Sequence, residues 1–182
     1  MSANKVKYGL KNVHYALVTE TVKDGVTTSS YGTVKAWPGA VSLSMDSNAE
    51  KSVFRADDSD YFVTYGQGGY EGDLESALVP EDIKTSVLGF VQTAEGGILE
   101  TGDEKVKNFA LMYEINGDVE KRRFVDYCCT ATRPSSEAST VEDAIAPQTD
   151  TLSLSTAPLV YLAAASGTSR RLSRYYESES GS

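Results

Sequence analysis

Residues Tyr70 to Gly89 read YEGDLESALVPEDIKTSVLG, and the change of period at Pro80 decides the fold. Before the proline the pattern has a period of two, with Leu74, Ser76 and Leu78 on one face and Glu71, Asp73, Glu75 and Ala77 on the other. This predicts a strand over Tyr70–Val79 with three acids in a row on one side. After it, Pro80 suits a first helical position and Glu81 and Asp82 sit where the helix dipole favours negative charge. Gly89 can take the left-handed position that ends a helix. Within that short helix Ile83, Val87 and Leu88 form one apolar stripe, which needs a sheet to cover.

The period of two continues outward in both directions. Upstream, Asn12–Thr21 alternates Val13, Tyr15 and Leu17 against His14, Ala16 and Val18, a strand apolar on both faces. Lys23-Asp24-Gly25 supplies a tight turn, and Gly32–Trp37, stopped by Pro38-Gly39, predicts the next strand. Val41–Asp46 (VSLSMD) alternates Val41, Leu43 and Met45 against Ser42, Ser44 and Asp46, the pattern of a half-buried strand. Ser52–Ala56 and Asp60–Tyr65 predict two short strands.

Downstream, Gln92–Val106 is polar and Gly-containing and reads as a long loop or exposed hairpin. Lys107–Ile115 and Val119–Cys129 flank Asn116-Gly117, a strong hairpin signal, with Phe109, Leu111, Tyr113 and Ile115 on one face. A Ser-, Thr- and Glu-rich loop over Ala131–Asp143 precedes a last strand, Thr149–Thr156, with Leu152 and Leu154 inward. The expected fold is therefore mainly β: an antiparallel β-sandwich or open barrel with one flanking α-helix.

A chain of 182 residues suits one domain with loose ends. The expected division is an N-terminal arm over 1–12, a β domain over 13–157, and a C-terminal arm over 158–182. That last arm is Ser- and Gly-rich toward its end and is expected to be mobile or to order on assembly. Apolar residues make up 40% and charged residues 24% of the chain, with few Pro, which argues against a disordered or fibrous class. No apolar run is long enough for a membrane span and no leader pattern opens the sequence, so a cytoplasmic site of synthesis and assembly is expected.

The net charge of −9 argues against a dedicated nucleic-acid binder, which needs Lys and Arg to neutralise phosphates. From Pro158 onward Arg170, Arg171 and Arg174 stand against Glu177 and Glu179, so the negative excess lies entirely before it. Cys128 and Cys129 are adjacent and offer neither a disulfide framework nor metal-ligand spacing. Their alternation predicts one thiol in the core and the other at a surface or interface.

Several motifs have a functional and a plain reading. Gly66–Gly72 lacks the Gly-Lys-Ser/Thr of a phosphate loop and reads as a turn. Asp57, Asp58 and Asp60 lack the loop Gly and distal Glu of a calcium-binding hand and read as a solvated acidic loop. His14 is the only histidine, so one chain cannot assemble a Ser-His-Asp or two-His site. Glu71, Asp73 and Glu75 are carboxylates two apart on one strand, more in keeping with a solvated face than with glycoside hydrolysis. No catalytic residue, cofactor or metal is expected.

Gly9–Ala16 (GLKNVHYA), Pro38–Ser44 (PGAVSLS) and Gly69–Gly89 together resemble the major tail proteins of long-tailed phages, of the phi13 type. The resemblance extends from about Lys5 to Pro158 and is carried by the first hundred or so residues. It implies a structural, non-enzymatic subunit of the virion tail, assembled in the bacterial host cytoplasm. Six copies would form a ring, and rings would stack into a tube through which DNA passes as transient cargo. Tape-measure, tail terminator and distal tail proteins are the implied partners.

An acidic channel wall would repel DNA and keep it from sticking, and Glu71, Asp73 and Glu75 are the candidates for that wall. The alternative places them on the outside of the tube. The 57–69 and 92–106 loops and both termini are the candidates for ring-to-ring contact. Two other readings compete. One is a monomeric carbohydrate- or ligand-binding module on a particle surface, favoured by the 11 Tyr and single Trp37. The other is the tube protein of a contractile or secretion device.

Overall fold

Strand β1 spans Leu10–Lys23, beyond both ends of the alternation that predicts it. In the computed structural model the described residues are 8–23, 26–49, 51–56, 59–66, 68–118, 121–136, 138, 140, 147–162, 169–172 and 174–177. Next come β2 (Val26–Tyr31), β3 (Lys35–Ala36), β4 (Ala40–Ser47), β5 (Lys51–Ala56), β6 (Ser59–Tyr65) and β7 (Tyr70–Ser76). The helix α1 (Glu81–Ser86) leads to β8 (Val91–Gln92), β9 (Ile98–Leu99), β10 (Phe109–Ile115), β11 (Arg123–Ala131) and β12 (Ser135–Ser136). The chain ends in β13 (Asp150–Thr156), β14 (Leu159–Leu162), β15 (Ser169–Leu172) and β16 (Arg174–Glu177).

The fold is mainly β and antiparallel. The main sheet has the order β2-β1-β10-β11-β13-β7-β4, with β3 added on β1, β12 on β13 and β16 on β11. Three hairpins, β5–β6, β8–β9 and β14–β15, form two-stranded sheets of their own. The sheet curls until β1 approaches β4, but no ladder joins them. A groove lined by Leu10, Leu43, Met45 and Ile115 runs along this seam, which makes the structure an open barrel.

The inner face holds the core. Tyr15, Leu74, Phe109, Leu111 and Leu152 are fully buried, and one end is covered by Ile83 of α1 with Val87 and Leu88 of the turn that follows it. Burial of each such side chain is worth about 1.5–3 kcal/mol, which far outweighs the weak helix propensity of a six-residue segment. Two polar contacts fix the helix in place. The Tyr15 hydroxyl donates to the Asp82 carboxylate, and Lys35 Nζ reaches both Asp82 oxygens at 2.9 and 3.0 Å. Those hydrogen bonds, Tyr15 first, hold the Asp82 carboxyl below its ordinary value.

Bulges reset the alternation at several points, two of them beside the β10 strand. In β1 the register slips between Lys11 and His14, where Asn12 takes φ 51°, a conformation that Asn tolerates better than most residues. Between β10 and β11 Phe109 faces Cys129 but Leu111 faces Asp126, so β11 carries one extra residue. The bulge turns both Asp126 and Cys129 to the core.

Several expectations need correction. Cys128 is 2% exposed and Cys129 fully buried, so neither thiol is at the surface; burial pushes both thiols up. The strand predicted to reach Val79 ends at Ser76, which leaves Leu78 67% exposed and Val79 in the core. Val41, assigned to the buried face of its strand, is half exposed because the register slips there, Ala40 facing Ser76 and Ser42 facing Glu75, so Val41 is the extra residue of a bulge. Only Lys35–Ala36 of the predicted Gly32–Trp37 strand pairs; β2 precedes it. The loop expected over Gln92–Val106 contains the small hairpin β8–β9. Residues 1–7, the Asp24-Gly25 turn, Asp57 and Asp58 lie outside the described residues, as do 163–168, Ser173 and 178–182 of the C-terminal arm. Among the described residues no helix is long and apolar enough to cross a membrane.

Candidate functional site

The register across β4, β7 and β13 builds one continuous polar face from alternate residues. Glu71, Asp73 and Glu75 of β7 stand opposite Asp46, Ser44 and Ser42 of β4 on one side. On the other they stand opposite Ser155, Ser153 and Thr151 of β13. On the opposite face of β7 Leu74 and Ser76 are fully buried, so period-two alternation separates the acidic face from the core.

Neighbouring hydroxyls and amides fix the carboxylates. Ser42 Oγ donates to Glu75 Oε2 at 2.8 Å and Thr149 Oγ1 donates to Glu75 Oε1 at 2.6 Å. Ser153 Oγ donates to Asp73 Oδ1 at 2.8 Å, and Asn48 Nδ2 donates to Glu71 Oε1 at 2.6 Å. The bonds from Thr149 and then Ser42 hold the Glu75 carboxyl below its ordinary value, so it stays ionised in mild acid. Among the described residues no Lys or Arg forms an ion pair with these three acids. Nor does any group of three or more His, Cys, Asp or Glu stand ready to hold a metal ion. What the face can do is present fixed negative charge, with hydroxyls to orient it.

Glu71, Asp73 and Glu75 thus share one outer face, while Ile83, Val87 and Leu88 lie together under the helix. His14 lies on the outer side of β1, where its Nδ1 is 2.8 Å from the Asn12 carbonyl oxygen. Sequence reasoning missed the hydroxyl partners, although the polar phases of VSLSMD and TLSLST were their signal. It also missed Asp126, which is fully buried and bonded to Arg174 through Nε at 2.5 Å and Nη2 at 3.1 Å. The Arg174 guanidinium lies 4.1 Å from the centre of the Tyr70 ring. Burial pushes the Asp126 carboxyl up against the pull of Arg174, and pushes the nearby Tyr113 hydroxyl up to about 12. An acid within FVDYCC was visible, but nothing local tied it to a residue 48 positions away.

No family model matches this chain, and no curated protein matches it either.

Proposed function

We propose that this chain is the ring-forming subunit of a phage tail tube, six copies closing around a channel for DNA and the rings stacking into a tube. The supporting observation is that the carboxylate face runs up to a free sheet edge. Among the described residues β4 is bonded to β7 on one side and ends the sheet order on the other. An unpaired eight-residue edge is a template for another chain. Pairing there with a neighbour's free edge extends the sheet from copy to copy, and a closed ring removes the edges altogether.

In that arrangement Glu71, Asp73 and Glu75 line the channel. Fixed negative charge repels DNA phosphates, and among the described residues no Lys or Arg forms an ion pair with these acids. Hydroxyl bonds hold the carboxylates of Asp73 and Glu75 in place, and those from Thr149 and Ser42 keep Glu75 ionised. The tube would be built in the host cytoplasm and would meet tape-measure, terminator and distal tail proteins at its ends.

Negative-stain electron microscopy of the purified protein, together with sedimentation, tests the reading. Hollow rings or tubes are the expected result. A species that stays monomeric at high concentration contradicts it.

A further inference from the structure

The edge of β11 opposite β10 is occupied by two segments in line. β13 takes the far end, pairing Leu154, Ser155 and Thr156 with Ala131, Thr130 and Cys129, and the Ala157 amide then donates to the Cys128 carbonyl at 2.9 Å. β16 takes the near end, pairing Arg174 with Asp126 and continuing to Glu177 opposite Arg123. Both run antiparallel to β11, so β16 resumes the path that β13 leaves at Pro158.

A direct continuation from the Cys128 position to the Asp126 position would need a single intervening residue. The chain instead inserts residues 158–173 there. Within this insert, among the described residues, β14 and β15 pair only with each other, and an isolated two-stranded hairpin is marginal in water. Opened out, the insert reaches about 50 Å, beyond the roughly 30 Å width of a small domain. The docking site at its end is selective. Asp126 has no exposure and needs a cation, Tyr70 supplies a ring for a guanidinium, and four residues of edge accept an extended strand.

We propose that β16 is an exchangeable strand: in the assembled protein Arg174–Glu177 of one copy pairs with Arg123–Asp126 of the next, its Arg174 seated on the neighbour's Asp126. The choice of a second copy as partner rests on the ring reading above, whereas the acceptor edge stands without it. Exchange preserves the pairing of β16 with β11, so its cost is the opening of β14–β15, and neighbours in a ring supply high effective concentration.

Val125 and Tyr175 are direct cross-strand partners, at a separation that a disulfide can bridge. The V125C/Y175C variant, oxidised after assembly and run on a non-reducing denaturing gel, should give a ladder of covalent multimers. The same variant oxidised as dilute monomer should give only internally closed chains. A second variant replaces residues 158–173 by one glycine, which leaves β16 too short a tether to exchange; it should fold but lose assembly. Assembled protein that yields only internally closed chains, or a shortened variant that assembles like the wild type, overturns the exchange alone. A wild type that never assembles overturns the ring reading and the exchange together.

Discussion

Two carboxylate sites show how burial sets the role of the same chemical group. Asp126 sits in the core, where desolvation raises its pKa and a single guanidinium compensates it. Glu75 sits on the outer face of β7, where hydroxyl bonds lower its pKa and no cation is bonded to it among the described residues. Inside the barrel a carboxylate is a structural liability that demands a partner. On the outer face, charge remains available to act on something else.

The strongest test of this contrast is Arg174→Leu. Removing one partner of a buried pair leaves a desolvated charge, so urea unfolding should show a loss of about 3–5 kcal/mol. Adding Asp126→Leu should recover most of it; a double variant as unstable as the single one would break the contrast. Next in size, Leu74→Ala on the inner face of β7 should cost about 2–5 kcal/mol, because Leu74 is fully buried. Its neighbour Asp73→Asn, on the outer face, should stay within about 0.5 kcal/mol in the same titration. Equal losses at 73 and 74 would show that the two faces are not energetically distinct.

How much of this was legible in the sequence depends on the range of the interaction. Alternation over 70–76 was enough to set Glu71, Asp73 and Glu75 on one face and Leu74 on the other, because period two is a local property. The helix after Pro80 was legible as well, although its edges were not: the strand stops at Ser76, and Pro80 is the cap before the helix, not its first residue. Cys128 was not legible, because one extra residue in β11 reverses the faces beyond it and depends on how β10 pairs. The register that brings Ser42 and Thr149 onto Glu75 joins residues 33 and 74 positions apart, so each strand was readable but their meeting was not. Arg174 was the least legible, since its role exists only once β16 docks.

A pH titration sharpens the comparison with a smaller effect. The folded Glu75 carboxyl binds its proton less readily than its ordinary value of 4.5, so the unfolded chain takes up protons first as the pH falls. Its contribution is full above pH 4.5 and is lost as the pH drops through the lowered folded value. Thermal melts between neutral and acidic pH should therefore show a shallower acid loss for Glu75→Gln than for wild type. Identical slopes would mean that the Ser42 and Thr149 bonds do not hold the carboxylate. The smallest effect is expected at Ser153→Ala, which removes one exposed hydroxyl contact and should leave the melting curve within about 0.5 kcal/mol of wild type.

The most direct test of the central claim is a cryo-electron-microscopy reconstruction of assembled wild-type particles at a resolution that resolves strands. The account predicts a six-fold ring with β7 against the channel and Glu71, Asp73 and Glu75 on the inner wall. Particles that remain single chains, or rings carrying those three acids on the outer wall, would contradict it.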